Sequence, residues 1–151
     1  MEGDVNLMDD MVFYKIDLET SKAVYEKLKK LIEPKFCYNN VFYVMSHFIS
    51  KFSDGEWKVA YGYVKSISSV YCRHCFILDT SSSLVIDPTT VASGTSNNEK
   101  EYFIMKLFDS TEEYLGAIES DGNLPALDNF LMEQEVEAQK QAFEHGYLFI
   151  G

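Results

Sequence analysis

The chain has 151 residues, 46% of them hydrophobic, which is enough for one domain with a hydrophobic core. Its formal net charge of −11 disfavours binding to nucleic acid or to an anionic membrane surface, because phosphate contacts need clustered Lys and Arg. The acidic start MEGDVNLMDD is unlike a signal peptide, and no apolar run approaches the roughly 18 residues of a membrane span. Three cysteines are an odd number and argue against a disulfide framework. We therefore expect a single domain over residues 1–151 in the cytoplasm, whose negative surface could attract a basic protein partner.

The N-terminal third is predicted to hold a short strand and two helices. Residues 12–16 alternate like an edge strand. The first helix is predicted to begin at Thr20 or Ser21, either of which can cap it, and to end before Pro34. The second covers FCYNNVFYVMSHFISKF, where hydrophobic residues recur at i, i+3, i+4 and i+7. Cys37 lies one turn before this series on the same face, in or just before the first turn of the helix.

The rest of the chain predicts four strands and then two helices. The strands cover residues 57–65, 70–78, 83–87 and 101–108. Residues 110–113 resemble a capping box, and a last helix is predicted from Pro125 towards His145, with Gly146 as its terminator. The solvated face of that helix is predicted to carry Glu133, Glu135 and Glu137. The order of elements predicts an α+β fold, with N-terminal helices packed on an antiparallel β-sheet and C-terminal helices after it.

Two of the predicted strands place a histidine opposite a carboxylate. If residues 79–82 form the loop between them, residue 74 faces residue 87, so His74 and Asp87 are cross-strand neighbours with Cβ atoms roughly 4.5–5.5 Å apart. A carboxylate at that distance can hold one imidazole nitrogen. An imidazole held in this way is the usual partner of a nucleophile.

Cys37 is the candidate nucleophile. The partial positive charge at a helix start and a nearby imidazolium both favour a thiolate, and the free N–H groups of the first turn could bind an oxyanion. Cys37, His74 and Asp87 thus supply a nucleophile, a base and an orienting carboxylate. Each has a purely structural interpretation as well: a core cysteine, a structural strand histidine, and an aspartate that ends a strand before Pro88.

These residues resemble the transglutaminase-like core, a branch of the papain-like cysteine-enzyme fold. The resemblance covers about residues 35–90. It rests on Cys37 at a helix start, VAYGYV at 59–64, HCFILD at 74–79 and VIDPT at 85–89. It implies that Cys37 is the nucleophile, His74 the general base and acid, and Asp87 the orienting carboxylate, with no cofactor. His-Cys-Phe stands where the family usually has His-Ala-Trp, and FCYNN replaces the usual glycine around the nucleophile.

The resemblance implies an acyl transfer from a protein or peptide substrate with an amide bond. Water is the expected acceptor, because no amine-binding feature is visible. A second oxyanion donor upstream of Cys37 is missing, and Asn39 and Asn40 are the candidates left. This departure favours an alternative, a catalytically inactive acidic binding or inhibitor protein on the same fold.

Cys72 and Cys75 flank His74 and suggest a metal or redox site as well. In a strand, Cys72 and His74 point to one face and Cys75 to the other, so four tetrahedral zinc ligands are hard to assemble. A redox dithiol normally lies at a helix start after a strand, whereas this pair lies inside a strand. We therefore expect no metal, and we expect Cys72 and Cys75 to be packing residues.

Overall fold

The described part of the protein is a mixed α+β fold of six strands and six helices. The structure is a computed structural model, which describes residues 11–123 and 125–151 without the side chains of residues 128–130. The acidic start MEGDVNLMDD, which we predicted not to be a signal peptide, lies outside these residues. The predicted α+β class is confirmed. In the described ranges no helix has the length and hydropathy to cross a membrane.

Five of the strands follow one another across an antiparallel sheet. The strands are β1 (Phe13–Lys15), β2 (Trp57–Ile67), β3 (Val70–Asp79), β4 (Leu84–Ile86), β5 (Glu101–Leu107) and β6 (Leu148–Ile150). Their order is β1-β5-β2-β3-β4, and β6 joins β3 in parallel. The helices are α1 (Leu18–Leu28), α2 (Cys37–His47), α3 (Ile49–Ser53), α4 (Pro88–Ser93), α5 (Thr111–Ser120) and α6 (Asp128–Glu144).

The two faces of the sheet bury different sets of side chains. On one face, Tyr61, Cys75 and Ile77 pack against residues of α1, α2, α3 and α5. On the other, Phe76 and Tyr102 pack with residues from the segment that leads into α1. The alternation of side chains along β3 therefore decides which of its residues meet α2 and which face away from it.

The predicted helices differ from the observed ones at their ends, for local reasons. The first begins at Leu18, because the carboxylate of Asp17 caps it by accepting the backbone N–H of Thr20 at 2.9 Å. The single helix predicted over 36–52 is instead α2 and α3, because the backbone of Phe48 is not helical (φ −121°, ψ 39°). The last helix begins at Asp128 rather than at Pro125.

Three further features differ from the sequence prediction. Glu135 does not lie on a solvated face: it is half-buried, and its carboxylate lies 3.2 Å from Nε of Arg73. The helix α4 was not predicted, although Pro88 stands at its first position, where proline is favoured. The strand β6 was not predicted because three residues give no periodicity.

Gly62 lies where the backbone of β5 comes very near to β2. It pairs with His74 of β3, and on its other side the register to β5 shifts between Tyr61 and Gly62. A Cβ atom on Gly62 would overlap the carbonyl oxygen of Phe103. That oxygen belongs to the backbone of β5, so it can move only if the strands separate. Glycine is therefore required for this approach, directly beside His74.

We expect Gly62→Ala to lower the free energy of unfolding by about 1–3 kcal/mol, the usual cost of forcing an extra carbon into a packed site. Equilibrium unfolding in urea measures the change. Gly116→Ala is the matched control, because Gly116 lies in α5 with nothing within 4 Å of the added Cβ. Since alanine favours a helix over glycine, the control should be neutral or stabilising. Similar losses in both variants would contradict the close approach.

Candidate active site

The fold brings His74 and Asp87 into direct contact. Nε2 of His74 donates to both carboxylate oxygens of Asp87, at 3.0 and 2.9 Å. The two residues are 8% and 0% exposed. Since Nε2 is committed to the carboxylate, Nδ1 is the ring nitrogen that remains for exchange of a proton with a nucleophile.

The contact forms in a register that differs by two residues from the predicted one. The observed pairs are Asp79–Leu84, Leu78–Val85 and Ile77–Ile86. The loop is thus 80–83, and Asp87 lies beyond β4 as the N-cap of α4. Because the shift is an even number of residues, each side chain keeps its face of the sheet. His74 therefore reaches Asp87 diagonally rather than directly opposite.

Three neighbours fix the position of Asp87. The hydroxyl of Tyr102 donates to its Oδ2 at 2.6 Å. Its backbone N–H donates to Oγ of Ser21 at 2.9 Å, and Oγ1 of Thr90 donates to its carbonyl oxygen at 3.2 Å. Tyr102 and Ser21 are fully buried. Neither has a sequence signal for this role, because each comes from an element far from Asp87 in the chain.

Cys37 is the first residue of α2 and is 6% exposed. The N-cap of this helix is Phe36, whose side chain makes no capping hydrogen bond. The first backbone N–H groups of a helix have no acceptor within the helix, so they are available for a negative charge. The structure therefore places Cys37 where the sequence predicted it, at a helix start that can bind an oxyanion.

The edge of β3 next to α2 is open in its middle. Along this edge β4 pairs with residues 77–79 and β6 pairs with residues 70–72, which leaves 73–76 without a neighbour among the described strands. Cys37 interacts electrostatically with His74 and with Cys75, which belong to opposite faces. Its thiol therefore lies within interaction distance of the imidazole and of Cys75, both of which belong to the part of β3 whose edge is open.

Burial and charge act in opposite directions on the ionisation of His74. Burial alone would lower the pKa of His74, but the Asp87 carboxylate and then Cys37 outweigh it and raise this pKa to about 10. For Asp87 the directions are reversed, since burial alone would raise its pKa. The charge and hydrogen bond of His74 outweigh burial, together with the hydrogen bond from Tyr102, and hold the pKa of Asp87 below its usual value. At neutral pH the two residues are thus an imidazolium and a carboxylate.

Asn40 is not free to act as a second oxyanion donor. It is buried, and its Nδ2 donates to the carbonyl oxygen of Glu33 at 2.8 Å and to Oγ1 of Thr89 at 2.9 Å. Its Oδ1 accepts the backbone N–H of Glu33 at 3.1 Å. These bonds tie α2 to α4 and so keep the segments that carry Cys37 and Asp87 together. Asn39 is exposed and is the candidate that remains.

The other two cysteines differ from Cys37 in their surroundings. Cys75 is fully buried, and burial together with the charge of Cys37 raises its pKa well above the usual value, so it stays protonated. Cys72 is half-buried. Within the described part of the chain, no three His, Cys, Asp or Glu side chains are grouped so that they could hold a metal ion.

A depression of about 250 Å³ opens beside the first turn of α2. It is lined by Lys35, Phe36, Tyr38, Asn39, Pro125 and Ala126. The Tyr61 hydroxyl donates to the carbonyl oxygen of Pro125, and Nη2 of Arg73 donates to that of Ala126 at 3.4 Å. The strands β2 and β3 thus hold Pro125 and Ala126 in place, and the opposite wall consists of residues on either side of Cys37 in the sequence. We call it the α2 groove.

Comparison of the chain with known protein families, with curated proteins and with solved structures found no match. The resemblance to the transglutaminase-like core therefore remains a prediction from sequence. The geometry of Cys37, His74 and Asp87 is the basis on which a function can be assigned.

Proposed function

We propose that this protein is a cysteine-dependent acyl-transfer enzyme that hydrolyses an amide or peptide bond with Cys37, His74 and Asp87, on a papain- or transglutaminase-like core. The observation that carries the proposal is the buried imidazolium–carboxylate pair of His74 and Asp87 beside a cysteine that opens a helix. Burying two charges costs free energy that an apolar pair would not cost. A buried pair with shifted pKa values next to a thiol is typical of a catalytic site.

Asp87 holds Nε2 of His74, which leaves Nδ1 for exchange of a proton with the thiol, and it stabilises the positive charge on the ring. The imidazolium in turn lies beside the sulfur that attacks as a thiolate, and can balance its negative charge. The thiolate attacks the carbonyl carbon of the substrate, and the backbone N–H groups at the start of α2 bind the oxyanion that forms. The α2 groove, which is lined by both sequence neighbours of Cys37, would receive the substrate.

His74 then acts as an acid and afterwards as a base. It gives its proton to the leaving amine as the carbon–nitrogen bond breaks, which leaves an acyl thioester on Cys37. The neutral imidazole next takes a proton from a water molecule, and the resulting hydroxide attacks the thioester. The carboxylic acid leaves, the thiolate returns, and the imidazolium is restored.

The alternative is an inactive binding or inhibitor protein that keeps the same arrangement. The commitment of Asn40 to Glu33 and Thr89 favours it, because one candidate for the second oxyanion donor is lost. For this alternative a basic protein is the expected partner, given the net charge of −11. In either case we place the protein in the cytoplasm, because its three cysteines are free and thiols stay reduced there.

An activated acyl donor tests the proposed reaction without knowledge of the natural substrate. With p-nitrophenyl acetate we expect a burst of p-nitrophenol of about one equivalent per chain, as for other enzymes that form an acyl-enzyme. Peptide mass spectrometry should locate the acetyl group on Cys37. Cys37→Ala should abolish the burst, and Cys72→Ala should leave it unchanged. A burst that survives in Cys37→Ala would contradict the proposed reaction.

A further inference from the structure

A second groove continues from the α2 groove along the outer side of α2. A depression of about 100 Å³ shares Phe36 and Asn39 with the α2 groove and extends to Leu31 and Tyr43. A larger one, of about 570 Å³, shares Leu31 and extends to the C-terminal end of α1 and to His47. The two depressions together form what we call the α1–α2 groove, which leads away from Cys37.

The middle of the α1–α2 groove exposes large hydrophobic side chains. Leu31 is 39% exposed, Phe36 52% and Tyr43 37%. They line one concave surface, whereas exposed hydrophobic residues that are scattered singly need no explanation. An apolar concave surface with aromatic side chains is typical of a site that receives the side chains of a peptide.

The far end of the groove is basic, although the protein is acidic. Its lining includes Lys27, Lys29 and Lys30, and the acidic lining residues along the groove are Glu26 and Glu33. Glu26 lies 3.3 Å from Lys29 in an exposed pair, which contributes little. Five of the thirteen basic residues lie in the short segment from 22 to 35: Lys22, Lys27, Lys29, Lys30 and Lys35.

We propose that the α1–α2 groove docks an acidic segment of a polypeptide substrate. Acidic side chains would meet the three lysines, and an apolar residue next to them would pack on Leu31, Phe36 and Tyr43. The chain would then enter the α2 groove and reach Cys37. The proposal rests on the proposed function, and it names the substrate class as a polypeptide with an acidic stretch beside an apolar anchor. A polypeptide suits the site better than a membrane, because the exposed apolar side chains line a concave surface, which a flat bilayer would not fill.

Binding can be measured on the full-length Cys37→Ala variant, so that the result does not depend on turnover. The probe is a fluorescein-labelled peptide with four aspartates, a Gly-Ser spacer and a Leu-Phe pair. We expect saturable binding by fluorescence anisotropy, and we expect it to weaken with salt. The same peptide with lysines for aspartates, or with serines for Leu-Phe, should not bind.

Charge reversal on the protein provides the sharper comparison. Lys29→Glu combined with Lys30→Glu should weaken binding roughly ten-fold or more, because attraction becomes repulsion. Lys140→Glu, an exposed site on α6 outside the groove, should leave it within about two-fold. Peptide binding without acylation of Cys37 would support the α1–α2 groove as a peptide site and contradict the proposed acyl transfer. The two proposals can therefore be tested independently.

Four results would overturn the groove as a substrate site. The first is peptide binding that the charge reversals leave unchanged. The second is binding to phosphatidylserine vesicles without peptide binding, which would assign the surface to a membrane. The third is self-association that the reversals abolish, and the fourth is peptide binding only after removal of residues 1–10. Self-association of this kind would show that the groove binds a second copy of the chain. Binding only after the removal would show that it is occupied by the chain's own acidic start.

Discussion

Asp87→Ala should lower the free energy of unfolding by about 3–5 kcal/mol, the usual cost of removing one partner from a buried ion pair. His74 would lose the carboxylate that its Nε2 contacts at 2.9 Å, and the Tyr102 hydroxyl would lose its acceptor. Urea unfolding at pH 7 measures the change. Asp54→Ala, which removes an exposed carboxylate, should change stability by less than about 0.5 kcal/mol. A loss in Asp87→Ala as small as in this control would contradict a charged pair.

The same pair predicts how stability depends on pH. The pKa of His74 is higher in the folded protein than its ordinary 6.5, so its contribution is complete below pH 6.5 and is lost as the pH rises towards about 10. The pKa of Asp87 is lower than its ordinary 3.8, so its contribution is present above that pH and is lost as the pH falls through the lowered value. Both losses should be absent in Asp87→Ala.

His74→Ala should slow the alkylation of Cys37 by iodoacetamide at pH 6 by roughly ten- to one hundred-fold, because the thiolate is the reactive form and the imidazolium favours it. Rates come from quantitative mass spectrometry of the peptides that carry each cysteine. Cys72 provides a comparison within the same chain, and its rate should not change. Buried, protonated Cys75 should stay unmodified while the protein is folded, so it reports unfolding of a variant. His74→Gln, with a polar side chain, should slow Cys37 in the same way.

An unchanged rate for Cys37 in both variants, with Cys75 still protected, would show that the imidazole does not act on the thiol. The dependence on His74 is what separates a catalytic cysteine from a core cysteine that happens to be near the surface. Asp87→Asn is expected to give an intermediate rate, because the ring keeps a hydrogen-bond partner but loses its counter-charge.

The arrangement of the three candidate residues could be predicted from sequence because their signals are local. Side chains two apart on a strand share a face, so His74 and Asp87 kept their contact although the register was predicted wrongly by two residues. The apolar series of α2, extended back by one turn, placed Cys37 at the helix start.

Other parts of the site could not be predicted, because they depend on tertiary structure. Tyr102 and Ser21 reach Asp87 from β5 and α1, and each was assigned only a role within its own element. Asn40 looked available from its place in the sequence, but its bonds to Glu33 and Thr89 depend on how α2 packs on α4. Polar contacts between distant elements leave no periodicity in the sequence.

The basic end of the α1–α2 groove could not be predicted from the net charge. The total of −11 predicts an acidic surface that attracts basic partners, and it does not reveal a basic groove. The lysines around residues 27–30 become notable only once Leu31, Phe36 and Tyr43 are seen to line the adjoining surface.

The rate at which iodoacetamide alkylates Cys37 in the folded wild-type protein at pH 6 tests the central claim most directly. If His74 activates the thiol, Cys37 should react roughly ten-fold or more faster than half-buried Cys72. If Cys37 is instead modified only when urea unfolds the chain, together with Cys75, then it is a core residue. That result would contradict the cysteine enzyme and leave the binding protein as the better account of this fold.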